Sequence, residues 1–237
     1  MDGTLKVAIM QPYFLPYIGY WQLMCNVDVF VLYDDIKYTK KGWINRNRFL
    51  LNGKPEYFTL PLKNDSDYLD IRQRQISDKF DKEKIKIIRR FYNAYRNAFF
   101  FHEGKYLLDE IFNCEEKNLF QFIYNSIEKI RILLCITSCL VLSSTLGIPR
   151  QLKGQDRVIA ICKALDATDY INLIGGMALY DTKSFSAQKI RLHFQKTCSL
   201  QYKQYHYEFV PNLSIIDSIM FLGQEKLKEK LSEIELC

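Results

Sequence analysis

The densest run of chemistry-bearing residues is Gln11-Pro-Tyr-Phe-Leu-Pro-Tyr-Ile-Gly-Tyr-Trp21, directly after the apolar run Lys6–Met10. Pro12 and Pro16 fix the backbone, and Gly19 permits close approach where a helix should start. A strand-to-helix turn of this kind aims backbone N–H groups outward, which suits a phosphate or carboxylate. Gln11, Tyr13, Tyr17 and Tyr20 are then the candidate ligand contacts. The competing reading is a rigid turn with Tyr13, Phe14 and Tyr17 as packing. Asp34 and Asp35 stand at the carboxyl end of a second expected strand, Val27–Tyr33, where ligands of open α/β sheets gather. Paired carboxylates there could hold Mg²⁺, orient a sugar hydroxyl or act as a general base; a solvated turn or helix cap is the structural alternative. The third stretch, Lys37–Arg48, sets Lys40, Lys41, Arg46 and Arg48 among Trp43, Asn45 and Asn47. Arginine offers a planar donor fork to phosphate, and tryptophan a stacking surface for a sugar or base. Basic residues interleaved with aromatics also describe single-strand nucleic-acid sites. No matching stripe exists elsewhere in the chain, so a nucleotide-sized anion fits better than a polymer. A solvated basic loop is the alternative here.

These stretches need elements to hold them. Lys6–Met10 and Val27–Tyr33 read as buried strands around a short helix at Tyr20–Cys25, a βαβ unit with parallel strands. Asp34–Asn47 reads as a polar loop and Tyr57–Leu62 as a third strand. Lys79–Phe100 places Ile85, Ile88, Phe91, Tyr92 and Tyr95 on one helical face. Helical patterning continues over Lys105–Asn113 and Glu116–Leu134 before strand composition returns at Ile136–Leu142. A loop holding Ser143 and Ser144 precedes a helix at Gln155–Leu165 and a strand at Asp169–Leu173. Gly175-Gly176 then reads as a sheet-edge turn, with a phosphate loop as the alternative. A strand near Arg191–Gln195 and helices from Ile215 and Lys226 complete the chain. His193 alternates with Leu192 and Phe194, which places it on the polar face of its strand. The expected fold is α/β, a parallel or mostly parallel sheet with flanking helices. It forms one domain over 1–237, with 1–78 and 136–237 as the sheet-containing core and 79–135 as a helical insertion.

The 237 residues are 48% hydrophobic and 25% charged, with a net charge of +6. That is ordinary globular composition and excludes collagen, coiled coil and long disorder. The charge allows an anionic ligand but lacks the dense basic stripes of a nucleic-acid binder. Seven cysteines, an odd number without zinc spacing, read as free thiols of a reducing compartment. Three scattered histidines argue against a histidine-rich metal site. The chain opens on Asp2 without a basic region before an apolar stretch, and Ile132–Leu146 is shorter than the ~20 residues a membrane span needs. A cytoplasmic protein is expected. No nucleophile elbow, Walker loop or Rossmann fingerprint is present.

Together the motifs resemble the WbqC-like family, found among bacterial O-antigen and surface-polysaccharide genes. The likeness rests on Gln11–Tyr20, Asp28-Val-Phe-Val with Asp34-Asp35 and Tyr38, Lys41-Gly-Trp-Ile-Asn-Arg-Asn-Arg48 and Leu60-Pro61. It resumes at Arg157–Leu165, Asp169-Tyr170, Gly176 with Tyr180, Phe194-Gln195 and Leu213–Asp217. The family adds Gly176, Tyr180 and Gln195 as pocket liners. It implies a tailoring step on surface-glycan precursors, with glycine (aminoacyl) transfer the proposed activity. A weaker likeness joins Pro16–Tyr20 and Leu142-Ser-Ser-Thr145 to nucleotidyltransferases of the HxGH type, which adds Ser143 and Ser144. Tyr17 and Tyr20 stand where that family has histidines, and Arg150 comes too late for its second motif.

The expected function is a transferase attaching glycine or another small acyl group to a nucleotide-linked amino sugar. Lys40, Lys41, Arg46 and Arg48 would hold the pyrophosphate and Trp43 or Tyr13 would stack. Asp34 or Asp35 would accept a proton from the attacking amine. Mg²⁺ with a nucleotide stays open as a cofactor. The competing expectations are a module that recruits glycan-assembly enzymes, and adenylyl transfer.

Overall fold

A computed structural model of the chain describes residues 3–197 and 200–237. Asp2 and Cys198, which figured in the sequence reading, lie outside the described residues. The remaining six cysteines are free thiols.

Six strands form the central sheet: β1 (Lys6–Met10), β2 (Val29–Leu32), β5 (Cys139–Leu142), β6 (Asp169–Leu173), β7 (Arg191–Thr197) and β8 (Ile234–Leu236). Their order is β5-β2-β1-β6-β7-β8, parallel throughout except where β8 runs antiparallel along β7. The expected mostly parallel sheet is therefore present. Its strands alternate faces, as a pleat requires. Ala8, Phe30 and Leu32 join one apolar cluster, while Val7, Ile9 and Val31 join the other. Burial on both faces is why these strands read as continuous apolar runs.

The larger cluster lies under α1 (Ile18–Cys25), α7 (Ile215–Leu231) and three helices inserted between β2 and β5: α2 (Phe80–Tyr95), α3 (Phe101–Phe112) and α4 (Leu119–Leu133). The expected helix at Lys79–Phe100 thus ends at Tyr95. α5 (Gly154–Ala164) and α6 (Thr182–Ser186) cover the opposite face through Val158, Ile161 and Phe185. Where two helices were expected near the C-terminus, α7 breaks at Gly223, whose φ of 72° suits glycine and whose hydrogen faces the Phe100 ring.

The polar stretch expected as a loop ends in a strand. β3 (Arg46–Leu51) pairs antiparallel with β4 (Lys54–Thr59) across Asn52-Gly53, both with positive φ. That two-residue turn matches the twist of a hairpin. The expected strand at Tyr57–Leu62 is in fact the end of β4 and its exit.

α1 packs unusually close to β7. A Cβ on Gly19 would collide with the Thr197 hydroxyl and come within 2.6 Å of the Tyr17 ring. Gly19→Ala is expected to destabilise the fold by about 1–3 kcal/mol, because the crowded side chains must leave their rotamers. Thermal melting of the variant checks this.

Candidate functional site

The strand order reverses at β1, with β2 on one side and β6 on the other. At such a switch point the connections leave in opposite directions and open a crevice beyond the strand ends. A cleft of about 530 Å³ lies there. Tyr13 and Tyr17 from the β1–α1 loop, Ile174 after β6 and Thr197 at the end of β7 line it. The loop before β3 contributes Trp43, β3 contributes Asn47 and Arg48, and a strap over 200–213 adds Tyr202, Phe209 and Asn212. Burial pushes the Tyr13 and Tyr17 hydroxyls above their ordinary range, so both remain protonated donors at neutral pH.

Arg48 is the cation with capacity to spare. Its guanidinium lies 5.4 Å from the Trp43 ring centre and donates once, to the Asn212 carbonyl at 3.2 Å. Its buried Nε finds no partner, and no carboxylate pairs with it among the described residues. Arg46 donates to the carbonyls of Gly42 and Lys41 and sits over the Tyr57 ring, 4.8 Å from its centre. Lys40 leaves the group and pairs with Asp67 at 2.7 Å, while Lys41 is exposed with φ 62°. The four cations expected to act together are thus divided, and Arg48 is the one lining the cleft.

Asn45 and Asn47 are fasteners. Asn45 accepts from the Tyr38 hydroxyl and donates to the Leu60 carbonyl. Asn47 donates to the carbonyls of Phe14 and Leu15 at 3.2 and 2.7 Å and accepts from the Arg48 backbone N–H. Leu15 has φ 48°, a left-handed conformation that costs a leucine about 1–2 kcal/mol and persists because Asn47 and the hairpin hold it. The rigid-turn reading and the ligand reading of Gln11–Trp21 therefore share the loop. Phe14 and Leu15 pack inward, and Tyr20 is fully buried with its hydroxyl on the Gln11 carbonyl, while Tyr13 and Tyr17 face the cleft.

Asp34 and Asp35 lie at the sheet edge as expected, but beyond β2, on the other side of β1 from the cleft. Asp34 accepts from the Ser143 hydroxyl (3.0 Å), the Ser144 backbone N–H (3.0 Å) and the Ser144 hydroxyl (2.7 Å). Asp35 meets the Ser143 hydroxyl and the Arg157 guanidinium, each at 2.5 Å. Both carboxylates and Arg157 are buried. This network ties the ends of β2 and β5 to α5 and engages Ser143 and Ser144 away from the Pro16–Tyr20 turn. Nearby, Tyr180 meets the Tyr170 hydroxyl at 3.2 Å, and Gly176 lies against the Asn172 amide. Gln195 is fully buried, two residues before Thr197 on the same side of β7, with neither amide atom bonded.

Sequence reasoning missed the strap and Arg157. Its Gln201–Phe209 segment showed only aromatic and polar composition. Asp217, on α7 beneath the strap, is fully buried and accepts from Tyr95 (2.7 Å), Tyr202 (2.6 Å) and Gln204 (2.7 Å). An acid within Leu-Ser-Ile-Ile-Asp-Ser-Ile-Met was the available signal of a buried anchor. No helix among the described residues is long and apolar enough to cross a membrane.

Comparison with known proteins agrees with the motif reading. The uncharacterized protein Rv1507c of Mycobacterium tuberculosis is 28% identical over 225 residues, which cover 93% of this chain and 95% of that protein. No solved structure matches the chain. The WbqC-like protein family matches residues 11–229, from the loop that enters the cleft to the last turns of α7, and the chain belongs to that family.

Proposed function

We propose that the protein is a transferase of surface-polysaccharide biosynthesis that attaches glycine or another small acyl group to a nucleotide-linked amino sugar. The observation that carries this reading is the cleft at the switch point, in which an under-bonded arginine faces aromatic walls. Its volume is that of a small-molecule site. Arg48 would take the phosphates, and the protonated Tyr13 and Tyr17 hydroxyls would donate to the carbonyl oxygen of the acyl donor. Asp34 and Asp35 enter as positioning residues, because their oxygens are already engaged.

A second reading, a module that recruits glycan-assembly enzymes, is favoured by the exposure of Met177 and Leu179 on the turn after β6. The two separate in a thermal-shift panel of UDP-, GDP- and dTDP-amino sugars, Mg-ATP and acetyl-CoA, since a ligand of the folded state raises its melting temperature. Stabilisation by an amino-sugar nucleotide, lost in Arg48→Gln, supports the transferase. The loss in affinity should be about 10- to 100-fold, as expected for charge-assisted hydrogen bonds. Silence across the panel with the protein folded favours the recruiting module.

A further inference from the structure

Recognition of a nucleobase by its edge draws on donors and acceptors that are free in the empty site, side chains foremost among them. The polar side chains around this cleft are mostly committed to the protein itself. Asn47 uses its amide nitrogen on Phe14 and Leu15 and its oxygen on Arg48. Ser218 shares a 3.0 Å contact with the Tyr202 hydroxyl, which donates to Asp217. Lys196 points to solvent, where it meets Glu235 at 3.4 Å. Asn212 is exposed on the rim, where water competes for its amide. Among the described residues no carboxylate lines the cleft.

Apart from the Tyr13 and Tyr17 hydroxyls, which the reading above gives to the acyl donor, what remains is charge and flat apolar surface. Arg48 spends one terminal N–H on the Asn212 carbonyl and keeps the rest of its fork for a ligand. Trp43 lines the cleft and is still 36% exposed, with the Arg48 guanidinium over its ring and Tyr57 stacked at 6.2 Å. Every base has a π-face, so a stacking platform tolerates all of them, while an arginine fork binds phosphate oxygens whatever base they carry.

We propose that the cleft holds the nucleotide of its substrate by charge and stacking alone, Arg48 on the phosphates and Trp43 against the base, so that base identity is not read. This rests on the sugar-nucleotide reading above and narrows it: discrimination falls on the sugar. A transferase of this kind would accept the same amino sugar on different nucleoside diphosphates.

Calorimetric titration of the full chain with UDP, GDP, dTDP and inorganic pyrophosphate tests it. The three nucleotides should bind within about threefold of one another, each about tenfold tighter than pyrophosphate. Trp43→Ala should remove that margin for all three and leave pyrophosphate unchanged, and Trp43→Phe should restore most of it. Arg48→Gln should weaken all four. A preference above tenfold for one nucleotide overturns the proposal, and so does a Trp43→Ala effect confined to one of them. Binding of pyrophosphate with no gain from any base removes the platform and leaves the anion site standing. If none of the four binds to folded protein, the sugar-nucleotide reading itself fails.

Discussion

Arg157→Ala is expected to cost about 3–5 kcal/mol of stability, the range seen when one member of a buried ion pair is removed. Arg157 and Asp35 are both largely hidden from solvent and meet at 2.5 Å. Without the guanidinium, the Asp35 carboxylate keeps a single hydroxyl partner, Ser143, which Asp34 also claims. The charge would be stranded where water cannot reach it. The double variant Asp35→Asn with Arg157→Ala should recover part of the loss, because it removes the stranded charge as well. Urea unfolding of the wild type, both single variants and the double variant measures the coupling. A cost below about 1 kcal/mol for Arg157→Ala would mean that the pair is solvated and the network at the ends of β2 and β5 is loose.

Asp217 should make the protein more stable on mild acidification. Its carboxyl sits in the core without a cation, and burial pushes its pKa up to about 6 in spite of three hydrogen-bond donors. The groups facing it are Tyr95 from α2 and Tyr202, Gln204 and Tyr205 from the strap, all uncharged near neutral pH. The folded state therefore holds this proton more tightly than the unfolded chain, whose aspartates titrate near 3.9. Stability from this group is greatest below about pH 4, falls as pH rises from about 4 to about 6, and is flat above. Lowering pH from 7 to 5 should return about 1 kcal/mol to the wild type relative to Asp217→Asn, which does not titrate. Paired denaturation curves at the two pH values give the difference directly. Equal pH dependence in both proteins would place the Asp217 pKa in the ordinary carboxylate range.

The sheet was legible because buried parallel strands are apolar on both faces, and Lys6–Met10 and Val29–Leu32 carry that mark. The hairpin was not, because Arg46-Asn-Arg alternates polar side chains that look like loop, although Asn52-Gly53 signals a two-residue turn. For the site, residue type located the loop and the sheet edge but left the role of each side chain open. Asn45 and Asn47 look like ligand contacts and serve as internal fasteners. Asp34 and Asp35 were correctly placed at a strand end, yet their partners Ser143, Ser144 and Arg157 lie more than 100 residues along the chain. No local pattern encodes a pairing over that distance. The same holds for the strap, which is tied down by Asp217, by the Ala94 carbonyl and by Arg48, none of them its neighbour in a local pattern.

The pairing of β1 with β6, Val7 beside Tyr170, has a consequence for the order in which the molecule comes into being. β1 is made before the other strands of the sheet, but its neighbour on the cleft side follows only after five helices and four further strands. Closing so long a loop is slow, and domains assemble as synthesis proceeds. A nascent chain can collapse its helical part around the hairpin well before then. The crevice for the ligand does not exist until β6, β7 and the strap arrive. A ligand can therefore stabilise the finished protein but cannot guide the early stages of its folding, and fragments ending before β6 should be unable to bind.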